Sequence, residues 1–517
     1  MWYNGVYHLF YQYNPDGALF GDKMVWAHSV SYDLIDWIHL NHALYPTEPF
    51  DINSCWSGSA TILPGNRPAI LYTGIDANHT QVQNLAIPKN ISDPLLEEWI
   101  KLPQNPLILP PNGVEPDNFR DPTTAWLGPD GKWNVIVGSL SNNQGTAFLY
   151  QSEDFVKWSE FEAPLYTTDK TGMWECPDFY PVPINSTNGL DTSVMNPSVK
   201  HVMKASFNLH DYYMIGSYVS GVEKYIPETD FTGTSVDLRY DYGKFYASKS
   251  FFDSDKNRRI LWGWVNESDS TEDDLGKGWS GLQSIPRQIW LDKSGKQLVQ
   301  WPIEETKKLR TNEVNILDRK LDSGSVVEIE GISASQADVE VVFDLPELLE
   351  AEFLNPTGID PQQLCTDSNA AVNGRLGPFG ILALATEDLA EQTAIFFRIF
   401  KTQNGYAVLM CSDQSRSSLR DEVIDKTTYG AFVNIDPQQE KISLRSLIDH
   451  SIIESFGGEG KTCITSRVYP QLAIHEAAHL YAFNNGTLGV RISSLNAWSM
   501  SNAKFFNKGS LDNIASH

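Results

Sequence analysis

The chain repeats itself with a period near 60 residues, and this restricts the fold more than any other feature. Ser31-Tyr-Asp-Leu-Ile-Asp-Trp37 and Ser152-Glu-Asp-Phe-Val-Lys-Trp158 share one form: serine, two residues, an apolar residue, two residues, tryptophan. Ser92-Asp-Pro-Leu-Leu-Glu-Glu-Trp99 fits it with one extra residue, and the three serines stand 61 and 60 residues apart. Hairpin patterns recur in step: Met1 to Tyr13 with a turn at Asn4-Gly5, Ser59 to Gly74, Thr123 to Gly138, Phe179 to Tyr218 around a polar insertion, and Tyr240 to Trp264. Periods of this kind mark propellers and similar arrays. Five units predict five four-stranded blades around a channel, with the tryptophan motifs at the outer-strand corners.

A polar, Lys-rich stretch near Trp301 to Arg310, compatible with a helix, leaves this array. Strand patterns with Gly and Asn turns follow at Ser325 to Ile329, Asp338 to Leu345, Ala394 to Lys401, Tyr406 to Cys411, Ile442 to Leu447, Ile452 to Phe456 and His479 to Phe483. They predict a β-sandwich. The expected fold is therefore all-β: a five-bladed β-propeller over residues 1–305, a linker over 306–317 and a sandwich over 318–517.

Two carboxylates stand where neighbouring blades begin. Glu175 lies between Trp174 and Cys176, and apolar neighbours disfavour its charged form, as a general acid requires. Asp121 follows Arg120, which should keep it ionised. Side chains at equivalent blade starts face one channel mouth, so the two should converge. The matching place in blade two holds Trp56 and Ser57, an aromatic platform with a hydroxyl. Two carboxyl groups set apart by their surroundings suit glycoside hydrolysis.

Charge and motifs exclude other classes. A formal net charge of −26 opposes binding to nucleic acid or to an anionic membrane surface. No apolar run approaches the ~18 residues of a membrane helix. The five cysteines form no C-x-x-C pair; Cys365 and Cys411 could pair within the C-terminal half. Asn78, Asn90, Asn185, Asn266 and Asn485 each open a glycosylation triplet, which favours secretion, whereas the first residues read as a hairpin and not as a signal peptide. His475-Glu-Ala-Ala-His479 matches a zinc-protease pattern, but the strand signals around it do not suit the long helix that chemistry needs. Asp449, His450, Ser451 and Glu454 read as structural residues of a strand pair, and Glu272 to Asp274 as a solvated loop with calcium as the alternative.

Phe10-Tyr-Gln-Tyr-Asn-Pro15, Trp56-Ser-Gly-Ser59, Phe119-Arg-Asp-Pro122, Trp174-Glu-Cys-Pro-Asp178 and Leu444-Arg-Ser-Leu-Ile-Asp-His-Ser-Ile-Ile-Glu-Ser-Phe456 together resemble the plant acid invertases and fructan exohydrolases of glycoside hydrolase family 32. Pro177 resembles the cell-wall branch. The resemblance implies a retaining β-fructofuranosidase with Glu175 as acid/base. Asp121 would bind fructose hydroxyls and stabilise the transition state, and Arg120 would stand beside it. Gln12, Trp56 and Ser57 would line the fructosyl pocket, with Phe20 in its aromatic rim. It implies sucrose or fructan as substrate, no metal or organic cofactor, a cell-wall location, a monomer, and a proteinaceous inhibitor as partner.

Two departures temper these expectations. The family's nucleophile is the Asp of an Asn-Asp-Pro-Asn-Gly motif placed just upstream of where this sequence begins, so the chain as given is expected not to hydrolyse sucrose at an enzymatic rate. Sucrose-cleaving relatives also carry an Asp, with a Lys three residues on, shortly before the His-Asp-Tyr-Tyr segment. Here only Phe207-Asn208-Leu209 separates Ser206 from His210. That resembles fructan exohydrolases with little sucrose activity. A non-catalytic sugar-binding or regulatory role is the alternative outside enzymes.

Overall fold

The computed structural model describes residues 1–420 and 424–507. Five antiparallel sheets form the propeller, and two further sheets pack face to face behind it. Blade one comprises Trp2–Tyr3, Val6–Tyr13, Val25–Ser31 and Trp37–His39; blade two comprises Ser54–Leu63, Arg67–Ile75, Gln81–Pro88 and Trp99–Lys101. Blade three is built on Phe119–Arg120, Trp133–Ser141, Gln144–Ser152 and Trp158–Glu160. Blade four runs through Glu175–Pro183, Val199–Phe207, His210–Val219 and Lys224–Pro227, and blade five through Phe245–Asp253, Arg258–Val265, Arg287–Leu291 and Leu298–Pro302.

Turn chemistry explains the repeat. In each tryptophan motif the third strand ends at or near the serine and the outermost strand starts at the tryptophan. An aspartate between them bonds backbone N–H groups further on: Asp33 accepts from Ile35 and Asp36, Asp93 from Leu95 and Glu97, Asp154 from Val156 and Lys157. The apolar residue turns left-handed, with φ of 64° at Leu34, 46° at Leu96 and 64° at Phe155, and each is buried at 1–2% exposure. A bulky residue accepts that backbone only where packing fixes it. The first hairpin turns at Asn4-Gly5, both at positive φ, as its sequence predicts.

The propeller core lies between blades. Trp126, Trp174, Phe179 and Met203 join blades three and four, while Tyr7, Trp37 and Ile260 join the last blade to the first. Across that closing seam Tyr7 donates to Asp253 at 2.9 Å, and Arg258 holds the same carboxylate at 2.8 Å. Strand Phe505–Asn507 returns from the sandwich and adds in parallel to Trp37–His39.

Residues 306–317 are not a free linker. A 3-10 helix spans Glu304–Leu309, and the strand Arg310–Leu321 starts directly after it as one edge of a sandwich sheet. Eight of its twelve residues are polar or charged, because an edge strand with one open side need not look apolar. The final residues assigned to the sandwich, 508–517, lie outside the described residues. Cys365 and Cys411 form a disulfide, and Cys55, Cys176 and Cys463 are free and buried. His475 and His479 share no helix: His475 opens a 3-10 turn and His479 begins a strand, with its Nδ1 on Glu328. Glu272, Asp273 and Asp274 lie in the first turn of a short helix, Thr271–Lys277, and not in a loop.

The sandwich meets blade five through buried charge. Arg287, fully buried, donates to Asp241 at 3.0 Å, to Glu454 at 2.7 Å and to Thr465 at 2.9 Å, the last two belonging to the sandwich. Replacing Arg287 by methionine strands two carboxylates away from water and should destabilise the protein by about 3–5 kcal/mol. Lys89→Ala, which breaks the exposed pair with Glu98, should change stability by less than ~1 kcal/mol. Equal losses for the two variants in chemical denaturation would contradict this.

Acid should weaken the fold above the carboxylate range. Burial drives His8 down to about 2 and His28 down to about 3 from the usual 6.5, and the two rings meet at 3.1 Å. Below pH 6.5 the unfolded chain takes up protons these rings cannot, so their contribution is complete above about 6.5 and declines as pH falls towards 3. Each such histidine contributes a slope of ~1.4 kcal/mol per pH unit. The melting temperature should fall between pH 6.5 and 4.5; a flat profile there would refute the account.

Candidate active site

The innermost strands of blades two to five deform near their starts. One extra residue bulges between Trp56 and Gly58 in blade two, between Glu175 and Asp178 in blade four, and between Tyr246 and Lys249 in blade five. Positive φ occurs there at Cys176 (43°) and Ala247 (53°), and in blade three at Asp121 (65°). Bulges and strained residues of this sort re-aim side chains and gather at functional sites. Gly58 permits the blade-two bulge, because a Cβ there would lie 2.0 Å from the Leu71 carbonyl oxygen.

The deformed segments bring together five of the seven residues singled out in the sequence. Arg120 Nη2 donates to Glu175 Oε1 at 2.5 Å, and its Nε stands 3.9 Å from Asp121 Oδ2. Its guanidinium lies 5.9 Å from the Trp56 ring, against which Phe20 packs edge-on. Gln12 and Ser57 join Phe20 in the wall of a cavity of about 660 Å³, with Cys176, Tyr246 and Lys249 opposite; Trp56, Arg120, Asp121 and Glu175 are not part of that wall. Gln12 Oε1 and Trp56 Nε1 are buried without a hydrogen-bond partner in the protein.

The arginine stands beside Asp121, as its sequence position suggests, and serves Glu175 as well. Arg120 pairs closely with Glu175, while Asp121 is secured by backbone: its Oδ2 accepts from Cys176 N at 2.7 Å, and its own N–H donates to Thr73 at 2.8 Å. Nor are the apolar sequence neighbours of Glu175 its neighbours in space. Successive side chains alternate about a strand, so Trp174 turns inward and stacks on Tyr166 while Glu175 turns to the channel.

Sequence reasoning missed Tyr246, whose hydroxyl donates to Glu175 Oε2, and the two lysines behind the site. Lys204, fully buried, donates to the carbonyl oxygens of Cys176 at 3.0 Å and Ser248 at 2.7 Å, and pairs with Asp211 at 3.3 Å. Lys249 donates to the carbonyls of Pro177 at 2.8 Å and Asp121 at 3.4 Å, and burial lowers its pKa. Tyr246 sits at the blade-five position equivalent to Glu175, so the repeat itself carried that signal. Nothing in the sequence flags the lysines.

Five blades with carboxylates at the channel mouth, backed by a sandwich, define the architecture of a glycoside hydrolase. Residues 1–302 match the model of the glycosyl hydrolases family 32 N-terminal domain, and residues 305–499 match that of the family 32 C-terminal domain. The chain belongs to glycosyl hydrolase family 32. It is 56% identical over 515 residues to an insoluble-isoenzyme β-fructofuranosidase of Arabidopsis thaliana, covering 98% of this chain and 88% of that one. It is 55% identical over 510 residues to a fructan 6-exohydrolase of Beta vulgaris, covering 98% and 84%. Among solved structures, fructan 1-exohydrolase IIa from Cichorium intybus superimposes with a TM-score of 0.97 at 62% identity, over 98% of this chain and 95% of that one. Among the described residues no helix is long and apolar enough to cross a membrane.

Gly138 of blade three backs the bulge that carries Glu175. A Cβ there would come within 2.2 Å of the Trp174 carbonyl oxygen and 3.2 Å of Pro177 Cδ. Gly138→Ala should therefore push this segment aside and cost about 1–3 kcal/mol. An unchanged denaturation midpoint would show that the bulge is not held from behind.

Proposed function

We propose that the chain removes terminal fructose from β-fructans and cleaves sucrose less readily. The observation that carries the catalytic part is the clamp on Glu175, held by Arg120 at one oxygen and by Tyr246 at the other. In this reading Glu175 gives its proton to the glycosidic oxygen, the bond electrons follow to that oxygen, and the sugar leaves as an alcohol. The two donors stabilise the carboxylate left behind. The electron-deficient fructosyl carbon then bonds the oxygen of a water, whose proton goes to the Glu175 carboxylate, and fructose is released. A retaining outcome pairs the acid with a second carboxylate about 5–5.5 Å away.

Asp121 is fixed through Oδ2 and offers Oδ1 to a fructose hydroxyl. Gln12 Oε1 and Trp56 Nε1 are the buried polar atoms a sugar would satisfy, and unpaired buried polar groups are otherwise expensive. Ser57 adds a hydroxyl to the cavity wall and Phe20 an apolar rim. The preference for fructan rests on the turn after Ser206. Asn208 and Leu209, at φ 50° and 59°, close a two-residue hairpin between Phe207 and His210, which leaves no carboxylate to bind the glucosyl part of sucrose. Losing a hydrogen bond to a charged group costs about 1.5–3 kcal/mol, roughly ten- to a hundred-fold in rate. The relatives' names support a cell-wall location for this protein too. A monomer open to a proteinaceous inhibitor completes the proposal.

The test uses the intact protein. Glu175→Gln should lower fructose release by about 10²–10⁴-fold while 1-kestose still binds. Undiminished turnover would remove Glu175 from the acid role. Faster release from sucrose than from inulin would overturn the fructan preference.

A further inference from the structure

The cavity has a second aromatic rim that no residue of the proposed mechanism uses. Helix Thr271–Lys277 ends at Gly278, and the following Gly278–Gln283 segment forms part of the cavity wall. Trp279 lies on it, 44% exposed, with its ring 4.7 Å from the Lys277 ammonium. The path from Glu175 to this rim crosses three neighbours in blade five: Tyr246 bonds Glu175, Trp264 pairs with Tyr246, and Gln283 pairs with Trp264. Two strand spacings amount to ~10 Å. Tyr246 and Trp279 line the same cavity, so a substrate extending past the ring held at the acid has a continuous surface towards Trp279.

The rim is held from the sandwich. Glu267, 8% exposed, fills both its oxygens: Oε1 accepts from Gly281 N and Arg467 Nη1, each at 2.7 Å, and Oε2 from Lys277 at 3.0 Å and Tyr469 at 2.5 Å. Burial works against this charge, yet Arg467, Tyr469 and Lys277 bring Glu267 down to about 2, so it stays ionised under all ordinary conditions. Arg467 is itself pinned by Ser451, its Nε donating to the carbonyl oxygen at 3.0 Å. Gly281, at φ 80°, lies flush on Trp264, where a Cβ would approach Nε1 to 2.1 Å. Glu267, Asp269 and Asp274 are grouped closely enough to suit a cation, and Lys277 stands 2.8–3.0 Å from each. The ammonium occupies the middle of that cluster, 4.7 Å from the centre of the Trp279 ring.

We propose that Trp279 is the stacking platform for the sugar on the leaving-group side of the scissile bond, and that Arg467 and Tyr469 are positioning residues holding it there through Glu267. The inference rests on the fructosyl-hydrolase reading above and deepens it by naming what the substrate touches beyond its terminal ring. A sugar ring presents an apolar face that an aromatic side chain can cover, and Lys277 behind the indole limits its rotation. The sandwich would then set how firmly a longer substrate is gripped without touching it.

Calorimetry in the Glu175→Gln background, with fructose and 1-kestose as the probes, separates the two ideas. Trp279→Ala should weaken 1-kestose about tenfold and leave fructose unchanged, and Trp279→Phe should recover most of the loss. Tyr469→Phe removes one donor from Glu267 without emptying the site, and should weaken 1-kestose severalfold with fructose binding and melting temperature close to the parent. A 1-kestose to fructose affinity ratio that Trp279→Ala does not move would overturn the platform. A ratio moved by Trp279→Ala but not by Tyr469→Phe would overturn the positioning role. Should the parent bind neither sugar, the fructosyl reading falls and the platform with it.

Discussion

Two ammonium groups behind the channel hold the backbone on which the site is built. Lys204 and Lys249 donate to the carbonyl oxygens of Cys176, Pro177 and Asp121, in the bulged segments that carry the two carboxylates. Strand ends at a propeller mouth have left the ladder, so their carbonyls need partners from elsewhere. Asp121, Cys176 and Pro177 are buried, which limits what water can supply. A lysine supplies three donors on one atom and satisfies several carbonyls at once. The cost is a buried charge, which Lys204 offsets through Asp211; Asp211 in turn accepts from Ser206, Ala247 and Ser248. Blades three, four and five are thereby tied together at one level.

That network accounts for the backbone strain at the site. Asp121, Cys176 and Ala247 adopt a left-handed conformation that L-residues avoid, at about 1–3 kcal/mol each. Such residues persist only where their surroundings leave no alternative. Cys176 N is bonded to Asp121 and its carbonyl to Lys204, while Ala247 N is bonded to Asp211. The outcome is functional geometry: the side chain just before the strained residue, Glu175 or Tyr246, is turned towards the channel, where the two meet.

Much of this was written legibly in the chain. Three blades could be recognised at their corners because these share one local chemistry, an aspartate capping a turn and a buried apolar residue at positive φ, and such chemistry needs particular residues at particular offsets; the hairpins brought the count to five. Glu175 and Asp121 stood out because each lies where a blade begins, although it is Cys176, not Glu175, that shares the positive φ of Asp121. What stayed hidden has no local signature. The strand Arg310–Leu321 reads as polar because most of its side chains face water. Lys204 and Lys249 look like any strand lysines, and their burial is decided where blades three, four and five meet. The bond from Arg120 to Glu175 was hidden for the same reason: its partner is 55 residues away, and only the meeting of two blades adds it to the contact with Asp121.

The sandwich is often the easier part of such a chain to set aside, since no proposed catalytic side chain belongs to it. Its contacts argue otherwise. Arg287, Asp241, Glu454 and Thr465 form a dry cluster at one point of blade five, and Glu267, Lys277, Tyr469 and Arg467 a second. Both clusters pair propeller carboxylates or arginines with sandwich partners. Buried charge is poor glue compared with well-packed apolar surface, but it is selective about geometry, because a small displacement leaves a charge unpaired. Blade five bears Tyr246 and Lys249 on its inner strand, so a shift of this blade would carry the clamp on Glu175 with it. Fixing blade five by ion clusters therefore trades stability for position, and position is what a proton donor with two hydrogen-bond partners requires.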